Sequence, residues 1–126
     1  MPKVKNTRFY GKQGENAAEK ILEEDGHTIL CRNYCIRGGE IDLITTKGKY
    51  LFFTEVKARR VSSGERPLES VDEAKRLHIL KTADAFLNEY RDNDYICALT
   101  PQLCVVEIYT DDVGKHVKHI IHTDSL

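Results

Sequence analysis

Residues 39–57, GEIDLITTKGKYLFFTEVK, decide the fold that this sequence predicts. Apolar and polar residues alternate in the first part, and aromatic and β-branched residues crowd the last, as is typical of two β-strands. Residues 46–49, Thr-Lys-Gly-Lys, interrupt the two runs. The segment therefore predicts a β-hairpin.

The turn of this hairpin determines which side chains share a face. With Lys47-Gly48 as a two-residue turn, Thr46 faces Lys49, and counting back places Asp42 opposite Phe53. Asp42 then lies on the same side of the sheet as Glu55 and Lys57, because alternate residues of a strand point the same way. A three-residue loop would shift the register by one and send Asp42 to the other face.

Working outward, two amphipathic helices, a short strand at residues 28–31 and a second hairpin complete the chain. Residues 12–25 predict a helix with Glu15 in its first turn, at the border of the apolar stripe. Pro67 and a capping box, Ser70 with Glu73, open a second helix. The apolar face predicted for that helix consists of Ile79, Leu80, Ala83, Phe86, Leu87 and Tyr90. Residues 91–94 close it, and residues 103–109 and 116–122 predict a last hairpin.

This order, α-β-β-β-α-β-β, predicts an α/β fold with a small central mixed sheet flanked by helices. At 126 residues, 40% of them hydrophobic, we expect a single domain over residues 1–126 that buries a core without disulfides. The net charge of −1 does not by itself indicate a nucleic-acid binder.

We expect a cytoplasmic protein that does not cross a membrane. No apolar run approaches the roughly 18 residues that span a bilayer, and the start of the chain lacks the apolar stretch of a signal peptide. Cys31, Cys35, Cys97 and Cys104 lack the paired spacing of zinc sites, so we interpret them as reduced core thiols.

Asp42, Glu55 and Lys57 form the candidate catalytic site, together with Glu15 on the first helix. Several charged groups on otherwise apolar strands are costly to bury unless they pair or hold a cation. Two carboxylates plus water suit Mg²⁺, with Mn²⁺ as a substitute, and a nearby lysine can help to activate water or stabilise charge on a phosphate. The alternative is an exposed, ion-paired strand edge.

Basic residues surround this acidic centre in the sequence. Residues 32–60 contain Arg32, Arg37, Lys47, Lys49, Lys57, Arg59 and Arg60 against Glu40, Asp42 and Glu55. Such a pattern suits a phosphate backbone passing over a metal ion, although an exposed loop rim would also explain it. Arg37, Arg59, Arg60 and Lys75 are the candidate nucleic-acid contacts, and the start of an exposed helix would explain Lys75 nearly as well.

A second metal candidate, His116 with His119 and His122, is the weaker one. A spacing of three on a strand puts alternate members on opposite faces, so we favour three partly exposed strand histidines.

Four spaced motifs together resemble a known family. They are Gly11-x-x-Gly14-Glu15-x-x-Ala18, residues 39–44 (GEIDLI), residues 53–59 (FTEVK-x-R) and Val71-x-x-x-Lys75. The chain resembles the YraN-like uncharacterised bacterial family, which is similar to archaeal Holliday-junction resolvases and belongs to the PD-(D/E)xK nuclease-like superfamily. The match covers nearly the whole chain in order.

The resemblance implies a restriction-endonuclease-like core with a five-stranded sheet. It implies Asp42 and Glu55 as metal ligands, the main-chain carbonyl of Val56 as a further ligand, Lys57 as the catalytic lysine and Glu15 as the helix-borne acid. One departure is the start of the fourth strand, where Gln102-Leu103-Cys104 replaces an Arg-Phe-Asp-like sequence.

These observations predict a Mg²⁺-dependent DNA endonuclease, with branched or otherwise structured DNA as a candidate substrate. A resolvase-like enzyme would act as a homodimer, because symmetric cleavage of a junction needs two sites. The alternatives are a non-catalytic nucleic-acid-binding or adaptor module and a protein-interaction domain.

Overall fold

The protein is an α/β structure with one five-stranded mixed sheet flanked by helices. The computed structural model describes residues 13–61 and 73–126, and the side chains of the first helix from Ala17 onward. The elements in chain order are α1 (Gln13–Glu24), β1 (Thr28–Ile36), β2 (Gly39–Lys47), β3 (Tyr50–Arg60), α2 (Glu73–Glu89), α3 (Asp94–Cys97), β4 (Thr100–Thr110) and β5 (His116–Ser125). The predicted fold class is therefore confirmed, and this core is compatible with that of restriction endonucleases.

Strands follow one another across the sheet in chain order, β1-β2-β3-β4-β5. Neighbours are antiparallel except β3 and β4, which run parallel. A parallel pair needs a long crossover, and the segment that contains α2 provides it. Both predicted hairpins, β2 with β3 and β4 with β5, are present.

The β2–β3 turn differs by one residue from the prediction. Lys47 pairs with Tyr50, so the turn is Gly48-Lys49 rather than Lys47-Gly48. Gly48 has φ +59, the conformation that a two-residue hairpin turn requires at its first central position and that glycine adopts without strain. Phe53 pairs with Ile44, so the predicted pairing of Phe53 with Asp42 was wrong, and the ladder ends at Leu43 and Thr54 before it reaches Asp42. Asp42 and Glu55 nevertheless line the same cavity.

Helix α2 covers one face of the sheet. Phe86 is fully buried and packs edge-on against Tyr34 of β1 and Phe53 of β3, with ring centroids 5.2 and 5.8 Å apart. Ile79 and Ala83 are also buried, as predicted, whereas Leu80 is 45% exposed and the prediction for it was wrong. Successive helical residues lie about 100° apart, so the line through Ile79 and Ala83 faces the sheet and Leu80 turns away from it.

Helix α1 covers the other face. Ala18, Ile21 and Leu22 are buried against Leu43 and Phe52, together with apolar residues of β4. Burial of each large side chain contributes about 1.5–3 kcal/mol, so the sheet is stabilised from both sides. No helix in residues 13–61 and 73–126 is long and apolar enough to cross a bilayer.

The structure describes the end of α2 but not the segment that precedes this helix. The capping box and Pro67 lie outside the described residues. At the other end, Asn93 accepts a hydrogen bond from the Ile96 amide at 3.0 Å and caps the four-residue α3, which the sequence analysis did not predict. Ile96 is fully buried, so the segment after α2 adds to the core.

Candidate functional site

Asp42 lies where β2 and β3 separate. Leu43 opposite Thr54 is the last pair of the ladder on this side, and the Asp42 carboxylate then accepts a hydrogen bond from the Val56 amide at 2.8 Å. The carboxylate thus takes the place of a strand acceptor and satisfies an amide that the separation would otherwise leave unpaired. This contact holds Asp42 against the main chain of Val56.

Glu55 occupies the same cleft and is contacted by two lysines. Its Oε1 lies 2.7 Å from Lys75 Nζ and 3.3 Å from Lys57 Nζ. Its side chain is 12% exposed, against 40% for Lys57 and 44% for Lys75. With both lysines this exposed, solvent screens each pair, so the pairs contribute little to stability, about 0–1 kcal/mol each.

A cavity of about 260 Å³ lies between the ends of β2 and β3 and the first turns of α2. Its lining residues are Gly39, Glu40, Ile41, Asp42, Phe53, Thr54, Glu55, Lys75, His78 and Ile79. The ring of His78 reaches the β1–β2 turn, where its Nδ1 lies 3.3 Å from the carbonyl oxygen of Gly38. We call this cavity the acidic cleft.

Gly39 sets the width of the acidic cleft at its β2 end. A Cβ at this position would collide with the side-chain oxygen of Thr82 on α2. The absence of a side chain therefore lets α2 approach β2 and brings Lys75 over Glu55. This role of Gly39 was not predicted from the sequence, although a glycine that opens a strand is a signal of such close approach.

The cleft contains two carboxylates, the type of ligand that a small divalent cation prefers. Asp42 and Glu55 both line it, and the main chain of Val56 lies against Asp42. Mg²⁺ prefers oxygen ligands and retains several waters, so it needs few protein ligands. Among the described residues no group of three or more His, Cys, Asp or Glu side chains is arranged to hold a metal. Glu15 lies in the first turn of α1, and its side chain lies outside the described part.

A fully buried carboxylate, Glu107 of β4, lies beside the cleft on the same face as Lys57. The two residues pair in register across the parallel β3–β4 ladder. Glu107 accepts hydrogen bonds from Arg59 Nε at 2.9 Å and from the Tyr109 hydroxyl at 3.2 Å, and its Oε1 lies 2.7 Å from His122 Nε2. We did not single out Glu107 from the sequence, although a glutamate within the apolar run 103–109 is the signal that could have found it.

The basic residues do not form one surface. Lys47 and Lys49 lie at the turn end of β2 and β3, whereas Arg59 and Arg60 lie at the other end of β3. Arg59 pairs with Glu107, and its side chain is 19% exposed. The remaining candidate contacts are Arg37, in the exposed turn between β1 and β2, Arg60, exposed at the end of β3, and Lys75, in the cleft.

The three C-terminal histidines are not distributed over the two faces of β5 as predicted. A register shift next to Thr110 brings His116 onto the same face as His119, with stacked rings 5.2 Å apart and 3.1 Å between Nε2 and Nδ1. The expectation that they lie on opposite faces was wrong, because a bulge changes the alternation of a strand. His122 points to the other face and to Glu107.

The cysteines are all free, as predicted, but not all belong to the core. Cys31 and Cys104 are buried, Cys35 is half-buried and Cys97 is exposed, which corrects the prediction of four core thiols. Burial raises the pKa of the Cys31 and Cys104 thiols to about 11, so both are protonated at neutral pH.

Related sequences were found in many bacteria. The chain is 35% identical to a UPF0102 protein of Carboxydothermus hydrogenoformans over 90% of its own length and 93% of the relative's. It is 38% identical to one of Caldicellulosiruptor bescii over 88% and 89% of the two lengths. It is 45% identical to one of Desulfosudis oleivorans over 64% and 65%.

The family model covers the candidate site and most of the fold. Residues 14–108, which include nearly all of α1, the acidic cleft and Glu107, match the model described as Uncharacterised protein family UPF0102. This match extends over more than half of the chain and confirms the YraN-like assignment made from the motifs. The chain therefore belongs to the UPF0102 family.

Proposed function

We propose that this protein is a Mg²⁺-dependent endonuclease that hydrolyses phosphodiester bonds in DNA. The observation that carries the proposal is the acidic cleft, where Asp42 and Glu55 face one cavity with Lys57 and Lys75 on Glu55. Two carboxylates with adjacent ammonium groups are the components that phosphodiester hydrolysis needs: a cation site, and positive charge for the phosphate.

Each residue has a separate role in this proposal. Asp42 and Glu55, with the Val56 carbonyl, would hold the ion, which when bound would supply Lewis-acid chemistry to a water and to the phosphate. Asp42 is positioned by the Val56 amide. Lys57 stabilises the negative charge that grows on the phosphate oxygens. A bond forms from the water oxygen to phosphorus as that water releases a proton to solvent, the bond to the leaving oxygen breaks, and the leaving oxygen gains a proton from solvent.

The substrate and assembly belong to the same proposal. We propose that Arg37, Arg60 and Lys75 contact phosphates, and that the substrate is branched or otherwise structured DNA. Cleavage on both sides of a junction would need two copies of the site, and hence a homodimer. A cytoplasmic location agrees with four free cysteines, since reducing compartments keep thiols unpaired.

A cleavage assay on matched variants tests this function. Purified protein is incubated with labelled four-way junction, flap, single-stranded and duplex DNA, in Mg²⁺, Mn²⁺ or EDTA. Asp42→Asn and Lys57→Ala are the test variants. Asp84→Asn and Lys115→Ala, which remove the same charges from exposed positions on α2 and in the β4–β5 turn, are the controls.

We expect metal-dependent cutting that both test variants lose and both controls keep. The expected loss is 100-fold or more in rate, roughly the effect of removing one group that stabilises transition-state charge. Absence of cutting on every substrate with folded protein would contradict the proposal and favour the non-catalytic nucleic-acid-binding module. Cutting that survives in Asp42→Asn would also contradict it.

A further inference from the structure

A second concave surface lies on the α1 side of the sheet, at the turn end of β2 and β3. It is an open groove of about 690 Å³. Its lining residues include three aromatic rings, His27, Tyr50 and Phe52, and two lysines, Lys47 and Lys49. We call it the aromatic groove, and the proposed nuclease site makes no use of it.

The three rings form a continuous apolar floor. The His27 and Phe52 centroids are 4.8 Å apart, and those of Phe52 and Tyr50 are 5.9 Å apart. Phe52 is 7% exposed and the His27 side chain is 2% exposed, so both rings are packed into the core. Tyr50 is half-buried and is the most exposed of the three residues. An accessible aromatic face over a rigid apolar base is the type of platform on which nucleobases stack.

The charges at the rim favour an anion. Lys47 is paired with Asp25 at 3.2 Å, and the Nζ of Lys49 lies 5.4 Å from the centre of the Tyr50 ring. Burial lowers the pKa of His27, which keeps its ring neutral at pH 7. The rim therefore carries two ammonium groups against one carboxylate. Lys49 is exposed, so its ammonium can move from the Tyr50 face to a phosphate when a base takes that face.

We propose that the aromatic groove binds a nucleotide, with the base stacked on Tyr50 and the phosphate between Lys47 and Lys49. A volume of about 690 Å³ lies within the range of small-molecule sites, about 300–1,000 Å³. The ligand chemistry, one aromatic base with one phosphate, has two sources: a free nucleotide and a nucleotide within a single strand.

This site is separate from the acidic cleft. Tyr50 and Phe52 face α1, whereas Glu55 faces α2. Tyr50 and Glu55 are five positions apart on β3, which corresponds to about 17 Å. Binding in the groove therefore needs neither metal nor catalysis, and it can be measured in EDTA.

The test titrates full-length, isotope-labelled protein in EDTA with AMP, adenosine, inorganic phosphate and a single-stranded pentathymidylate, following amide signals by NMR and heat by calorimetry. Tyr50→Ala removes the platform and Tyr50→Phe retains it. Lys49→Ala removes one rim charge without touching the core, and Lys115→Ala is its matched control on the far turn.

We expect AMP, pentathymidylate or both to shift the amide signals of residues 47–52. Binding should weaken about tenfold in Tyr50→Ala and severalfold in Lys49→Ala, and stay unchanged in Tyr50→Phe and Lys115→Ala. Binding of AMP identifies a free nucleotide as a ligand, and binding of pentathymidylate alone identifies the single strand. Equal shifts with phosphate alone, shifts elsewhere only, or no shifts at millimolar concentration would overturn the proposal.

Discussion

Two glutamates on the same sheet face, Glu55 and Glu107, have different partners and therefore different roles. Glu55 contacts two lysines that are 40% or more exposed, at the wall of a cavity. Glu107 is completely buried, and its partners include Arg59 and Tyr109 on one oxygen and His122 on the other. A carboxylate at the wall of a cavity is suited to binding a metal or a substrate, whereas a buried carboxylate with donors on both oxygens holds strands together.

Replacing Glu107 should therefore destabilise the fold. Glu107→Ala leaves the Arg59 guanidinium and the His122 ring without their acceptor in a mostly buried place, and removing one member of a buried pair costs about 3–5 kcal/mol. Urea denaturation measures this loss. Glu107→Gln keeps the size and one acceptor oxygen, so it should lose less. Equal stability of Glu107→Ala and the parent protein would contradict this role.

His27 should make the protein sensitive to acid. Burial lowers its folded pKa below the value of 6.5, while its Nδ1 lies 2.7 Å from Thr45 Oγ1. The unfolded chain then binds a proton more readily, so the stability that neutral His27 contributes is complete above pH 6.5 and is lost as the pH falls through the folded pKa. Urea titrations at neutral and mildly acidic pH should show this loss reduced in His27→Gln. An identical loss in both proteins would rule out this histidine as the cause.

At the scale of elements, the approach of α2 to β2 decides the geometry of the acidic cleft. α2 carries Lys75 and His78 to the cleft, and it can approach because Gly39 has no side chain where Thr82 packs. The Thr82 hydroxyl is itself satisfied by the His78 carbonyl at 2.9 Å. The position of one lysine thus depends on a contact between a glycine and a threonine outside the charged cluster.

A double-mutant cycle on Gly39 and Thr82 tests this dependence. Gly39→Ala should destabilise the protein by about 1–3 kcal/mol, because the added methyl group overlaps the threonine oxygen. In Thr82→Ala that oxygen is gone, so the same glycine substitution should cost clearly less. Chemical denaturation of the four proteins gives the coupling energy. A coupling energy near zero would show that the two residues do not limit the approach of α2.

On the scale of the whole molecule, two helices on opposite faces of one sheet create two separate concave surfaces. The acidic cleft opens beside the start of α2, and the aromatic groove lies on the α1 side. The face that holds Glu55 is thus separated by the sheet from the face that holds Tyr50. Ligand binding to the two surfaces can therefore be measured independently.

Mg²⁺ should stabilise the folded protein through the acidic cleft alone. An ion that binds only the folded state adds about 2.7 kcal/mol at roughly 100 times its Kd, which raises the melting temperature. Thermal unfolding with MgCl₂, against NaCl of equal ionic strength, measures the effect. It should vanish in Asp42→Asn and persist in Asp84→Asn. A melting temperature that responds equally in all three proteins would indicate non-specific screening instead.

Local patterns in the sequence were sufficient for the two long helices and the strands, but not for the four-residue α3, and they grouped Asp42 with Glu55, which line one cavity. Helices and strands have fixed periods, so their faces follow from spacing over a few residues. The position of the hairpin turn was wrong by one residue, because Gly48 occupies the first central position of the turn Gly48-Lys49. The motifs also identified the family correctly.

Contacts between distant residues required the folded chain. Arg59 and Glu107 are 48 positions apart, and Asp42 and Val56 are 14 apart. Such partners depend on strand order, on the parallel β3–β4 pair and on how closely α2 approaches, none of which has a local period. Packing against the rest of the molecule supplies that information, and it alone placed a buried glutamate beside Lys57 and a second lysine on Glu55.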